Sequence, residues 1–235
     1  MTLNAKKIQG PNSKERVQQA NLEPDVYRAR LVQVLDLGLQ PQRPYQGKDK
    51  PPVNEIMLTY ELTDEFMKDE EGNDVEDKPR WISETLPFYG LFADKAKSTQ
   101  RYNAFDPDET YGGDFAQLIG LPVNVTVVNN AVGDKVYDNV ANVAAMSAKK
   151  AATCPELVNP AKVFDLDNPD MEVFNALPEW LRDKIKSNLN YQGSPLQQKL
   201  GGQGGEAPKQ NGKAVSKDKP KVQNDAAETV SNNPY

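Results

Sequence analysis

The sequence predicts a mainly β fold with added helices: five extended segments that close into a small Greek-key barrel, then a C-terminal helix and a disordered tail. Three observations predict it. The segment Asp25–Gly38, DVYRARLVQVLDLG, is the longest strand-like run, with Tyr27, Ala29, Leu31, Leu35 and Leu37 on one face at period two. Val32 and Val34 make its other face apolar toward the end, and a strand that turns from half-exposed to apolar on both sides suits a curled barrel. Four more strand-like runs follow with one helical stretch among them, and beyond Gly193 the hydrophobic residues thin out.

In chain order, residues 1–21 are polar and read as a flexible arm. After the first strand, Leu39–Pro52 holds four prolines and a glycine and is a loop. It carries Arg43, Tyr45, Lys48 and Lys50, and reads either as a solvated loop with Tyr45 packed at its base or as a basic, aromatic-tipped finger for a phosphate backbone. Val53–Leu62 alternates, with Ile56, Leu58, Tyr60 and Leu62 inward and Met57 and Thr59 outward. Asp64–Lys78 is an acidic hairpin extension turning near Gly72-Asn73; its DEEGND lacks the spacing of a calcium loop.

Trp81–Phe88 is the third strand. With Ile82, Leu86 and Phe88 inward, Trp81, Ser83 and Thr85 face out, and Glu84 points uncomfortably toward the interior. An outward tryptophan is a base-stacking platform, or else a residue lying under the acidic loop or a terminal segment. Leu91–Phe105 is helical and cationic, with Lys95, Lys97 and Arg101; Asp114–Ile119 is a second short helix closed by Gly120 and Pro122. Val123–Asn129 and Lys135–Val143 are the last two strands, joined by a turn at Gly133.

Three strands, a helix, then two strands is the order of the OB-fold barrel over residues 22–146. Its usual ligand surface, the outer face of strands two and three with the loops after strands one and four, takes in Tyr45 and its basic neighbours, Trp81, Lys135 and Tyr137. Residues 147–192 read as an irregular linker, whose Asp165, Asp167 and Asp170 suit turns better than a metal, and an amphipathic helix at Leu177–Tyr191 with Pro178 in its first position. Residues 193–235 read as a disordered tail.

Composition narrows the function classes. With 37% hydrophobic residues and 18 prolines, the chain is lean for a fully packed one. It has no histidine, which removes Ser-His and Cys-His nucleophile pairs and His-based zinc sites. Cys154 is the single cysteine, so no intramolecular disulfide forms. We therefore expect a non-enzymatic protein without cofactor or metal. No apolar run reaches the roughly 18 residues of a membrane span, and the start lacks the apolar core of a secretion signal, so a cytoplasmic location is expected. The net charge of −6 is uneven: residues 22–146 carry 12 bases and 22 acids, eight of those acids within Asp64–Asp77.

The segments VYRARLVQVLDLG, NEIMLTYELTDEF, KPRWISETLPFY, ADKAKSTQRY and FNALPEWLRDKIKSNLNYQGSPL resemble bacteriophage-encoded single-stranded DNA-binding proteins of replication and recombination, over roughly residues 22–196. The resemblance implies an OB-like barrel, single-stranded DNA as partner in the host cytoplasm, and no catalysis. It also implies contacts with other phage replication or recombination proteins through the C-terminal helix or tail, although many such tails are acidic and end in Pro-Phe, whereas this one is nearly neutral and ends in Pro-Tyr. Bases would stack on Tyr45, Trp81 and Tyr137. Phosphates would meet Arg28, Arg30, Arg43, Lys48, Lys50, Lys95, Lys97, Arg101 and Lys135. A protein-interaction or virion-associated module on the same barrel is the alternative.

Overall fold

A computed structural model describes residues 19–201; the expected arm up to residue 18 and the tail from 202 onward lie outside the described residues. Six strands form one sheet: β1 (Val26–Gln40), β2 (Val53–Lys68), β3 (Asp74–Pro87), β4 (Pro122–Val132), β5 (Lys135–Ala145) and β6 (Lys162–Phe164). The order is β3-β2-β1-β4-β5, antiparallel throughout, with β6 added in parallel beside the second half of β1. Among the described residues no ladder joins the edges β3 and β5, so the sheet is not closed. Side chains nonetheless reach across: Arg80 on β3 meets Asp138 on β5 at 3.4 Å. Helix α1 (Lys97–Phe105) packs against both edges.

The long first strand serves two cores because it is bulged. Leu31 and Gln33 oppose the consecutive residues Tyr60 and Thr59, leaving Val32 as an extra residue. A bulge reverses the alternation beyond it. Ala29, Leu31 and Val34 therefore enter a core with Ile56, Leu58, Tyr60 and Leu62, whereas Leu35 and Leu37 enter a second one. The single face expected for all five alternating residues of this strand is divided at that point. The same device on β5 places Val140 and Val143, three apart, in the first core: Val140 and Asn142 oppose the consecutive Val127 and Thr126.

Glu84 does point inward. Its carboxylate accepts from Arg101 Nε at 2.7 Å, Arg101 Nη2 at 3.1 Å and the Tyr60 hydroxyl at 2.8 Å. Burial, together with the negative charge of Glu84, raises the Tyr60 phenol well above its ordinary value. The helix expected from Leu91 begins only at Lys97, after turns, and Asp114 caps a 3₁₀ turn at Phe115–Leu118.

The second core consists of Leu35, Leu37, Phe164, Phe174, Leu177, Leu181, Ile185 and Leu196, with Met57 packed against it. It is built from a region read from sequence as linker, single helix and tail. Instead α2 (Ala148–Ala151), β6, α3 (Met171–Ala176), α4 (Glu179–Lys186) and α5 (Pro195–Lys199) follow one another. Pro178 divides the expected helix, because the residue before a proline is driven out of the helical region and Leu177 is extended, at φ −73 and ψ 150. Pro178 is thus the N-cap of α4, not its first helical residue. Leu181 and Ile185 form the buried stripe, while Trp180 stands exposed. Asp165 accepts from Asp167 N and Asp170 caps α3, both turn roles. Residues 193–201 are not tail: Ser194 caps α5, Pro195 opens it and Leu196 is fully buried.

Candidate nucleic-acid interface

The expected contact residues do not form one surface. Arg101 is 1% exposed and committed to Glu84, with Ala141 O as a further partner, so it reaches no ligand. Its place on the helix matched a solvated cationic face, but the inward Glu84 requires a buried counter-charge. Arg30 is also buried, and its guanidinium donates to Pro155 O, Gly120 O, Cys154 O and Glu156. It ties the C-terminal segment to β1. Arg28 is half-exposed and held by Asp64 through bonds of 2.6 and 2.7 Å.

Trp81 lies on the outer face of β3 and is 40% exposed. Its neighbours are not the expected cations. The indole Nε1 donates to Glu61 Oε2 at 3.0 Å, and the same buried carboxylate accepts from Val158 N, Asn159 N and Asn159 Nδ2. The outer face of β2 is therefore occupied by the chain itself: residues 154–159 cover Glu61, and the second core covers Met57. Trp81 is left exposed beside this covering, neither among cations nor under the acidic loop or a terminal segment. Lys135 and Tyr137 are exposed at the start of β5, beyond the first residue of β1.

At the other end of β1 the picture differs. The loop after β1 folds into a small hairpin: Tyr45 N donates to Lys48 O and Lys48 N to Tyr45 O, with Gln46 (φ 51) and Gly47 (φ 75) between them. Positive φ at both central residues is a type I′ arrangement, which Gly47 makes easy. Tyr45 is 60% exposed and Lys50 Nζ stands 4.9 Å from its ring centroid. Arg43, Lys48 and Lys50 are exposed.

Beside this loop runs an aromatic turn that the sequence reading missed. Phe88 N donates to Asn54 O, which puts the end of β3 next to the start of β2. From there Phe88, Tyr89 and Phe92 stand exposed, Phe92 at 91%. Tyr89 N donates to Ser98 Oγ and Thr99 Oγ1 to Gly90 O, fastening the turn to α1. Gly90 lets the Phe92 ring lie close to the backbone: a Cβ there would stand 2.5 Å from the ring, which would have to swing away. The exposed Lys95 and Lys97 follow directly. The signal was present in PFYGLF, three aromatics around a glycine just ahead of two lysines, but strict alternation had placed Phe88 inside. Phe88 instead packs edge-on against Phe115 at 5.6 Å and keeps one side open.

Among the described residues, none of Arg43, Lys48, Lys50, Lys95 and Lys97 is paired with a carboxylate. The end of the sheet formed by the β1–β2 loop and the β3–α1 turn thus presents aromatic rings interleaved with uncommitted cations. Such a surface can stack flat rings and neutralise phosphates. No family model matches the chain, and no curated protein matches it.

Proposed function

We propose that this protein binds single-stranded DNA with little regard to sequence, on the rim made by the β1–β2 loop and the β3–α1 turn. The observation that carries the reading is the grouping of exposed Tyr45, Phe88, Tyr89 and Phe92 with Arg43, Lys48, Lys50, Lys95 and Lys97 at one end of the sheet. Stacking contributes about 1–3 kcal/mol per base, and the cations release counterions from the phosphates. The strand order β3-β2-β1-β4-β5 supports an OB-type barrel left open between β3 and β5. Trp81, Lys135 and Tyr137 stand exposed away from this rim and are not part of the proposed surface. The resemblance to phage single-strand binders makes replication or recombination of phage DNA the setting, with no chemistry performed on the strand.

The test is fluorescence polarisation with labelled oligo-dT and a matched duplex over a salt series, for the full chain and for Tyr45→Ala and Phe92→Ala. We expect the single strand to bind more tightly than the duplex, affinity to fall with salt, and each variant to lose about five- to 100-fold. Absence of single-strand binding at low salt would overturn the proposal in favour of a protein-interaction module.

A further inference from the structure

Where the C-terminal segment crosses the end of β1, it encloses a cleft of about 400 Å³. One wall is Asp36, Gly38 and Leu39 with Asn54 and Phe88; the other is Leu166-Asp167 with Asn188, Asn190 and the turn Gln192–Pro195. The walls are preassembled. Leu189 N donates to Leu39 O at 2.9 Å, and Gly38 (φ 73) lets Asn188 and Leu166 approach to 2.8 Å from where a Cβ would sit. Asn188 is fixed by bonds to Ile185 O and from Asn190 N.

The lining has a distinct chemistry. It holds two carboxylates, Asp36 and Asp167, and no basic residue, so it repels phosphate. The backbone amides of Gly38 and Leu166 both bond to the Asp36 carboxylate, while the Asp167 carboxylate and the side-chain amides of Asn54 and Asn190 have no hydrogen-bond partner among the described residues. The half-open ring of Phe88 supplies a flat apolar surface. Phosphate is served just outside, because the loop with Arg43, Lys48 and Lys50 leaves directly from Gln40.

We propose that the cleft takes a single unstacked nucleobase that carries an amino group, and takes guanine best. The inference rests on the single-strand reading above. Carboxylates only accept, so they suit the adjacent N1–H and N2–H₂ of guanine and, more weakly, the single amino groups of cytosine and adenine. Thymine offers a single N3–H flanked by two carbonyl oxygens that the carboxylates repel, and is disfavoured. Unstacked bases held on an aromatic ring and read along their hydrogen-bonding edges are a general mode of single-strand recognition. The protein would then tolerate most sequences along the strand and favour guanine at one position.

The test compares oligo-dT with the same oligomer carrying one internal dG, by competition polarisation on the full chain, Asp167→Asn and Asn190→Ala. Both substitutions are at positions outside the two apolar cores. One well-made pair of base contacts corresponds to about five- to 100-fold in affinity, so we expect the dG oligomer to win by at least about fivefold. In each variant the ratio of the two affinities should fall toward one. Binding of both oligomers with no dG preference, or a preference that survives both variants, overturns the inference and leaves the single-strand reading intact. If neither oligomer binds, that reading fails, and a titration with free deoxyguanosine and thymidine followed by amide NMR judges the cleft alone. Shifts of the Asn54 and Asn190 signals with deoxyguanosine but not thymidine support it; no shifts with either overturn it.

Discussion

Replacing Arg101 with Met separates the two roles this residue was assigned. Its guanidinium makes two charge-assisted bonds to Glu84 inside the sheet, at 2.7 and 3.1 Å, and it is 1% exposed. Methionine keeps much of the length and removes the charge, so Glu84 is left with the Tyr60 hydroxyl alone. Hydrogen bonds to charged groups contribute about 1.5–3 kcal/mol each, and removing one partner of a buried ion pair costs about 3–5 kcal/mol. Two lost bonds and one orphaned carboxylate therefore point to a loss of about 3–5 kcal/mol. With a urea dependence of about 2 kcal/mol per molar, the unfolding midpoint falls by about 1.5–2.5 M. Far-UV circular dichroism in urea measures it. The double variant Glu84→Leu with Arg101→Met removes both charges and should recover most of the loss. A residue contacting phosphate would behave oppositely, with little change in stability and weaker binding of oligo-dT. A loss under about 1 kcal/mol for Arg101→Met would refute the buried-pair argument.

Other outcomes are expected from neighbouring features. Because the folded Tyr60 phenol titrates well above its ordinary value of 10, the folded state holds that proton longer. Its contribution is complete below the unfolded value and is lost as pH rises toward the folded one, at about 1.4 kcal/mol per pH unit, and urea midpoints of Tyr60→Phe should lack this alkaline decline. Glu61→Ala strands four donors and frees residues 154–159, so limited proteolysis should cut there before the wild-type chain is touched. Gly38→Ala places a Cβ 2.8 Å from Asn188 in a left-handed backbone and should lower stability by at least about 1–2 kcal/mol in the same urea assay. Deleting Asp69–Asp77 removes acidic charge from the β2–β3 hairpin and should tighten oligo-dT binding at low salt, the gain shrinking as salt is added; unchanged or weaker affinity would count against a shielding role.

The strands were legible because period-two alternation is local. Ile56, Leu58, Tyr60, Leu62, Val123 and Val125 alternate in sequence and are buried in the structure. The bulge at Val32 was not legible, since the one break in LVQVLDL, Gln33 on the face of Leu31 and Leu35, reads equally as a single polar position, yet the bulge decides that Leu35 and Leu37 serve a different core from Leu31. The candidate site suffered from the same limit. Arginines 30 and 101 read as surface charge because nothing local announces that three carbonyls, or an inward Glu84 17 residues earlier in the chain, wait for them. The Tyr45 loop was found because proline, glycine and lysine are local signals. The aromatic turn at Phe88–Phe92 was passed over because its first residue fitted the pattern of an interior strand position.

The second core has a practical consequence for shortening the molecule. A chain stopped before Lys162 would strip the parallel partner from Gln33–Leu35 and bare Leu35 and Leu37. Unpaired backbone beside greasy side chains is a template for intermolecular strand pairing. Soluble fragments should therefore run through Leu196, and versions trimmed at the apparent end of the five-stranded region should precipitate.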